Sequence, residues 1–149
     1  MARDEEYMKL AIEEAKKAAT LGEVPIGAVI VVNDEVVATG HNMRETWNDA
    51  TAHAEVIAIQ NACKKLQGWR LENATMYVTM EPCPMCAGAI FMSRMKRLVY
   101  GVPDSKAGAV ESLFNIVSNP HLNHQTEVRG CCLEEECRDL VQEFFLHKR

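Results

Sequence analysis

The chain has 149 residues, 48% of them apolar and 25% charged, and a formal net charge of −5 at pH 7. This length is that of one domain able to bury a core, so we expect a single domain over 1–149. The negative charge argues against a protein that coats nucleic acid irrespective of sequence, and no apolar run or N-terminal segment predicts a membrane span or a signal peptide.

Hydrophobic periodicity and turn residues predict strands alternating with helices. In chain order the predicted elements are a helix at 5–21, a strand at 26–32, a turn at 33–35, a strand at 36–41, a helix at 52–66, a strand at 75–80, a helix at 83–93, a strand at 97–101, a helix at 111–117, a strand at 125–129 and a helix at 133–146. Thr51 is placed to cap the second helix. This order predicts an α/β layered sheet with parallel neighbours.

Two other features of the sequence concern its surface. The segment 102–109, with a proline, a glycine and mixed charge, is the best candidate for a functional surface loop. From Arg94 to Lys106, four basic residues face one acidic residue, which indicates either a local basic patch or ordinary solvated surface.

The motif that carries chemistry has two parts. His53 and Glu55 lie two residues apart, and Cys83 follows Glu55 by 28 residues, with Cys86 three residues further on. Histidine nitrogen and cysteine thiolate are common zinc ligands, and a catalytic zinc has three protein ligands with water in the fourth position. His-x-Glu followed by Pro-Cys-x-x-Cys is the pattern of zinc-dependent base deaminases. We therefore expect His53, Cys83 and Cys86 to bind zinc and Glu55 to move protons between water and substrate.

The predicted helices suit this site. A spacing of three residues puts both sulfurs on one helix face, and the positive end of a helix favours thiolates. Taken alone, Cys-x-x-Cys is also compatible with a redox pair or half of a structural zinc site. A redox pair does not require His-x-Glu, and a structural site needs a fourth ligand, for which the remaining candidates are His41, His121 and His124.

Longer segments resemble the cytidine and deoxycytidylate deaminase superfamily and, within it, the bacterial tRNA-specific adenosine deaminases. The segments are 22–28 (GEVPIGA), 40–42 (GHN), 51–55 (TAHAE), 77–88 (YVTMEPCPMCAG), 104–108 (DSKAG), 112–113 (SL), 123–124 (NH) and 144–145 (FF). This resemblance implies a three-layer α/β/α cytidine deaminase-like fold with a five-stranded mixed sheet. It also implies a cytoplasmic homodimer with one zinc ion per subunit, no organic cofactor and no membrane association, which converts adenosine to inosine at position 34 of a tRNA anticodon loop.

The resemblance further implies substrate-binding roles. The residues are Asn42, Asp104, Lys106, Asn123, His124 and Phe145, with Phe144 beside the last. Several of these have a plainer alternative: Asn42 and Asp104 are suited to closing turns, Lys106 to open surface, and at least one of the two phenylalanines to packing. Trp47 and Trp69 are expected to be packing residues.

The remaining expectations concern assembly and thiols. The segment 87–92 is apolar nearly all round, which fits either a dimer interface or a helix buried within one chain. The four other cysteines, at 63, 131, 132 and 137, are expected to be free and mostly buried thiols. The competing functions are deamination of a free base or nucleoside, which shares the whole zinc site, and a non-catalytic zinc scaffold, which needs no Glu55.

Overall fold

The computed structural model of the protein describes residues 3–147. Its elements are α1 (Asp4–Thr20), β1 (Gly27–Val32), β2 (Glu35–His41), α2 (Ala54–Leu66), β3 (Ala74–Met80), α3 (Pro84–Met92), β4 (Arg97–Val102), β5 (Glu127–Arg129) and α4 (Glu134–His147). The predicted strands are all present, and so are the predicted helices except the one at 111–117.

The sheet has five strands in the order β2-β1-β3-β4-β5. β1 is antiparallel to both β2 and β3, whereas β4 is parallel to both β3 and β5. Asn33 and Asp34 join β1 to β2 with φ values of 51° and 60°, the left-handed conformation that a tight hairpin turn requires. The expectation of parallel neighbours therefore holds only for β3, β4 and β5, and the mixed sheet implied by the resemblance is confirmed.

Alternating side chains of the central strands build two cores, one on each face of the sheet. The first core packs Ile30, Met76 and Leu98 against α2 and α3. The second packs Val29, Tyr77 and Val99 against α1 and α4. Since successive strand residues point to opposite faces, this alternation shows helices covering both sides of the sheet. The three-layer α/β/α fold is thereby confirmed.

The strand directions bring separate parts of the sequence to one edge of the sheet. The carboxyl ends of the parallel strands β3 and β4 lie together, with Met80 paired to Val102. The hairpin returns β2 to the same edge, because Gly27, which begins β1, pairs with His41, which ends β2. The segments that follow β2, β3 and β4 therefore emerge side by side, which is where α/β sheets usually bind ligands.

The predicted helix at 111–117 is wrong. The main-chain N–H groups of Val110, Glu111 and Ser112 donate to the carboxylate of Glu81. Residues 113–116, which follow, form a bend and irregular chain rather than a helix. A distant side chain thus fixes the backbone that local periodicity assigned to a helix.

The start of α2 also differs from expectation. Its N-cap is His53, in extended conformation. Thr51 does not cap the helix, because its N–H and hydroxyl both donate to the Asp49 carboxylate, at 2.8 and 2.7 Å. The Thr51 hydroxyl therefore closes a local turn with Asp49 instead of capping the helix.

The basic residues between Arg94 and Lys106 do not form one patch. Arg97 is buried at 9% exposure, and its guanidinium donates to both carboxylate oxygens of Asp4, at 2.8 and 2.9 Å. Arg94 lies over the Phe91 ring at 5.0 Å. Lys106 follows the carboxyl end of β4, whereas Lys96 precedes its first residue. Ordinary surface therefore describes Lys96 and Lys106, whereas neither alternative describes the buried Arg97.

Asp4 anchors α1 to the sheet. It is fully buried and also accepts hydrogen bonds from Tyr77 and Arg129, each at 2.8 Å. Burial opposes its ionisation, but the hydrogen bonds from Arg97, Arg129 and Tyr77 outweigh burial and lower the pKa of the Asp4 carboxyl well below its usual range. The carboxylate is therefore charged at neutral pH and balanced by two arginines.

We expect Asp4→Asn to reduce the free energy of unfolding at pH 7 by about 3 kcal/mol, because a buried arginine loses its counter-charge. Because the folded-state pKa of Asp4 is lowered, its stabilisation is complete above the unfolded pKa of about 3.9 and is lost as the pH falls below that value. Urea unfolding at pH 7 and pH 3 should show that the difference in free energy of unfolding between parent and variant is smaller at pH 3. An equal gap at both pH values would contradict this account.

Candidate metal and catalytic centre

The three predicted ligands meet at the beginnings of two helices. His53 is the N-cap of α2, Cys83 is the N-cap of α3, and Cys86 lies in the first turn of α3. One ligand atom from each lies within 4.8 Å of the others. The His53 Nδ1 atom is 3.6 Å from Cys83 Sγ and 3.5 Å from Cys86 Sγ. Tetrahedral zinc with its usual bond lengths would set N and S ligands ~3.6 Å apart. The donor set and its spacing therefore fit a zinc ion.

Local sequence explains why the sulfurs converge. Pro84 occupies the first turn of α3, where its missing N–H costs no hydrogen bond. A hydrogen bond from Cys86 and another with His53 lower the pKa of Cys83 to about 4, although burial opposes this. The hydrogen bond with Cys83 raises the pKa of His53. The centre thus favours negative charge on Cys83, whereas the hydrogen bond with Cys83 raises the pKa of the Cys86 thiol. A divalent cation would displace the remaining protons.

Glu55 lies in the first turn of α2 and is 4% exposed. Burial, assisted by the neighbouring Cys83, raises the pKa of its carboxyl to about 7. A nearby dication would lower that pKa again. Glu55 is outside the group of ligand atoms but is hydrogen-bonded to the ligand Cys86. A carboxyl in this position can accept and return a proton without occupying the metal.

The other histidines named as possible fourth ligands lie elsewhere. His41 Nδ1 pairs with Glu14 at 3.0 Å, His121 is exposed, and His124 Nε2 lies 2.8 Å from the carbonyl oxygen of Met95. Within residues 3–147, His53, Cys83 and Cys86 form the single cluster of three such side chains able to hold a metal. Three ligands leave a coordination position open, which is characteristic of catalytic zinc.

Asn42 follows β2 at the same edge of the sheet. It is 6% exposed. Its side-chain amide donates to the Val24 carbonyl at 3.3 Å, and its side-chain oxygen accepts from the Arg44 N–H at 3.2 Å. The turn-closing alternative therefore describes the contacts within the chain. Because Asn42 follows β2 at the sheet edge where the metal centre lies, a substrate role is compatible with its position and stays a prediction.

Asp104 and Lys106 lie on the loop after β4. The Asp104 carboxylate accepts from the N–H groups of Lys106 and Ala107, at 2.9 and 3.2 Å, so it closes its own turn. The Lys106 side chain is exposed, and its ammonium forms no ion pair with the residues that the structure describes. This places a free positive charge on the rim of the site.

Asn123 and His124 are not beside the metal ligands of their own chain. His124 packs its ring 6.4 Å from that of Phe91, near the end of α3 opposite to Cys83. Eight residues of helix separate these ends by about 12 Å. Asn123 is exposed on the same segment. Neither position could be derived from the sequence, because a long irregular connection leads to them.

Phe144 and Phe145 share the last part of α4. Their rings meet edge to face, with centroids 5.3 Å apart. Phe144 is half-buried, whereas Phe145 is 51% exposed, in agreement with the expectation that the two would not both pack. Phe145 thus remains available to a partner or substrate.

Two buried glutamates that hold loops, Glu23 and Glu81, are further functional candidates that were not predicted from the sequence. Glu23 accepts from the N–H groups of Glu45 and Thr46, at 3.1 and 2.6 Å. Glu81 accepts from four N–H groups of the segment 104–112. An acidic residue within an apolar segment could have indicated these roles from the sequence, because a carboxylate buried there requires several hydrogen-bond donors.

The expectation that the tryptophans are packing residues is wrong, because more than half of each residue is exposed. Trp47 and Trp69 are each 54% exposed. Trp69 lines a shallow apolar groove with Ile59, Ala89 and Met92, and Met92 is 62% exposed. The outward face of α3 therefore presents apolar surface.

The other cysteines are free, as expected. Cys132 and Cys137 are buried, Cys63 is half-buried and Cys131 is exposed. No helix in the described part of the chain combines the length and apolarity needed to cross a membrane.

Comparison with known proteins agrees with this site. The family model described as MafB19-like deaminase matches residues 2–149. A tRNA-specific adenosine deaminase of Bacillus subtilis (strain 168) is 53% identical over 149 residues, covering 100% of this chain and 92% of that protein. A tRNA-specific adenosine deaminase of Haemophilus influenzae is 47% identical over 147 residues, covering 98% and 85%.

A solved structure gives the same relationship in three dimensions. It comes from work on A-to-I editing by tRNA:A34 deaminases at the wobble position of transfer RNA. It superimposes with a TM-score of 0.87 at 44% sequence identity, covering 91% of this chain and 98% of that one. With the metal-binding group and the buried Glu55 in the same motif, the chain belongs to the tRNA-specific adenosine deaminases of the MafB19-like deaminase family.

Proposed function

We propose that the protein hydrolyses adenosine to inosine at the wobble position of a tRNA anticodon, in the cytoplasm, with one zinc ion per chain and no organic cofactor. The observation that carries this proposal is the three-ligand group with a buried, non-ligand glutamate beside it. Membership of the tRNA-specific adenosine deaminases supplies the substrate.

In this mechanism His53, Cys83 and Cys86 would hold the zinc, which when bound would supply Lewis-acid activation of water at neutral pH. Glu55 accepts a proton from water and returns protons to the ring nitrogen and the departing amine. Adenosine and water thereby become inosine and ammonia. Burial of Glu55 keeps bulk water from competing for these protons.

The surroundings support binding of a single-stranded loop. Asn42 offers a donor and an acceptor for a nucleotide edge or ribose, and the free ammonium of Lys106 suits phosphate. Asp104 orients the loop that carries Lys106. Phe145 offers an exposed ring on which a base can stack.

The proposed assembly is a homodimer through the outward face of α3. Its support is the exposed Met92 and Trp69, which would be buried by a second copy. Asn123 and His124 lie near that face and far from the metal centre of their own chain. We propose that they serve the site of the partner subunit.

We expect Met92→Asp to shift the protein toward monomers, because it would place a charge within the apolar interface. Sedimentation equilibrium at micromolar concentration should give the mass of two chains for the parent and of one chain for the variant. Leu10→Asp is the matched control, since Leu10 is an exposed apolar residue on α1, in the other helical layer. A monomeric parent would contradict the proposed dimer.

Two competing functions make different predictions. A deaminase of free bases shares the zinc site but has no need of the Lys106 loop. A zinc scaffold has no need of Glu55. The experiment incubates the zinc-loaded protein with an anticodon stem-loop bearing adenosine at the wobble position, and separately with free adenosine, cytidine and guanine. Inosine in the stem-loop alone is the expected result, and turnover of a free base with the stem-loop intact would overturn the tRNA proposal.

A further inference from the structure

Glu81 is a buried charge that the proposed chemistry does not use. It follows β3 and precedes the metal ligand Cys83 by two residues, and it is 3% exposed. No lysine or arginine pairs with its carboxylate among the described residues. A carboxylate so buried requires strong hydrogen-bond donors.

The donors all come from one loop, which we call the rim loop, residues 104–112. Glu81 Oε1 accepts from the Asp104 N–H at 3.0 Å and from the Ser112 hydroxyl. Its Oε2 accepts from three consecutive N–H groups, those of Val110, Glu111 and Ser112, at 3.1, 2.8 and 2.9 Å. One side chain thus holds both ends of the rim loop.

The neighbouring backbone fastens the rim loop to the same place. The Glu81 N–H donates to the Val102 carbonyl, and the Ala109 N–H donates to the Pro82 carbonyl, each at 2.9 Å. Gly108 lies so close that a Cβ atom there would collide with Glu81 Oε1. The rim loop is therefore built around the Glu81 carboxylate rather than merely lying near it.

Because the rim loop donates its N–H groups to Glu81, the position of Glu81 determines where the rim loop can meet a substrate. The segment that supplies the metal ligand Cys83 also fixes the turn that presents Asp104 and Lys106. We infer that Glu81 is a positioning residue that sets the distance between the metal centre and the RNA-contacting rim loop, without touching substrate itself. This inference rests on the proposed function and extends it to how the substrate loop is aligned.

Glu81→Gln is a stringent test. A glutamine keeps the size of the side chain but replaces one acceptor oxygen with an NH₂ group. At the Oε2 position that group would face three N–H donors, and at the Oε1 position it would face the Asp104 N–H, although the Ser112 hydroxyl could turn to accept from it. The rim loop must then move or open while the metal ligands keep their side chains.

We expect Glu81→Gln to raise the KM for the anticodon stem-loop about tenfold, with kcat changed less than about threefold. Bound zinc should remain at one ion per chain. Amide hydrogen exchange should become faster in 104–112 than in other loops. Ser112→Ala removes one hydroxyl donor and no charge, so it should raise KM about threefold and provides a milder variant if the glutamine form does not fold.

The matched control is Asp4→Asn, which also removes a buried carboxylate but lies at the opposite end of β4. It should lower thermal stability without changing KM. An unchanged KM in Glu81→Gln, or a fall in kcat together with loss of zinc, would overturn the positioning role. A parent protein that left the stem-loop unedited would instead overturn the proposed function, and the exchange experiment would still test whether Glu81 holds the rim loop.

Discussion

Glu55→Gln should lower kcat for stem-loop deamination by roughly 10²–10⁴-fold, the usual contribution of a positioned general acid–base group. Glu55 is 4% exposed and lies in the first turn of α2, two residues after His53. Glutamine preserves the shape but cannot accept a proton from water. Because Glu55 is not a ligand, zinc content should stay at one ion per chain, which atomic absorption would measure alongside single-turnover kinetics.

The control for this experiment is Glu13→Gln, which alters an exposed carboxylate on α1 that pairs with Lys16 at 3.0 Å. Its kcat should equal that of the parent. In the zinc-free protein, the thermal stability of Glu55→Gln should be at least that of the parent, since burial disfavours the charged carboxyl. Activity within a few-fold of the parent would mean that another group moves the proton.

The convergence of His53, Cys83 and Cys86 was predictable from sequence because local geometry fixes much of it. A helix places residues three apart on one face, so Cys83 and Cys86 had to converge once α3 began at that point. His53 required one further step, a second helix start at the same edge of the sheet. The shared family motif made that step explicit, and the observed distances agree with it.

What the sequence failed to predict depends on contacts between distant residues. The segment 111–117 has helical periodicity, yet Glu81 takes the N–H groups at its start. Arg97 counted toward a basic patch, yet Asp4, 93 positions earlier, draws it into the interior. In both cases a buried carboxylate decides the outcome, and no local window contains both partners.

The proposed roles of Asn42, Asp104 and Lys106 depend on a substrate as well as on contacts within the chain. Each lies on a segment that leaves the sheet at the metal edge, as the proposed roles require. Asn42 and Asp104 also close turns, so the functional and structural alternatives are compatible rather than exclusive. For His124 the resemblance implied a role, but the fold puts the residue near the far end of α3, so that role would require the proposed second subunit.

Cys86→Ala should reduce zinc affinity by more than about 10²-fold and abolish deamination, because only two ligands would remain. Cys86 is fully buried, and its Sγ lies 3.5 Å from His53 Nδ1, so no nearby water can take its place at equal strength. Zinc per chain and initial rate would be measured together. Cys131→Ala, which removes an exposed thiol outside the metal group, should change neither quantity.

Chelation separates a catalytic zinc from a structural one. Ligands must lose their protons to bind metal, so zinc should be removed more easily by a chelator as the pH falls. The two cores pack independently of the ligand atoms, so the chelated protein should keep its helical circular dichroism and a cooperative thermal transition. Activity should then return when Zn²⁺ is added back. Loss of the fold on chelation would instead indicate a structural zinc. Retention of activity by the zinc-free protein, with Glu55 intact, would indicate chemistry that does not depend on the metal.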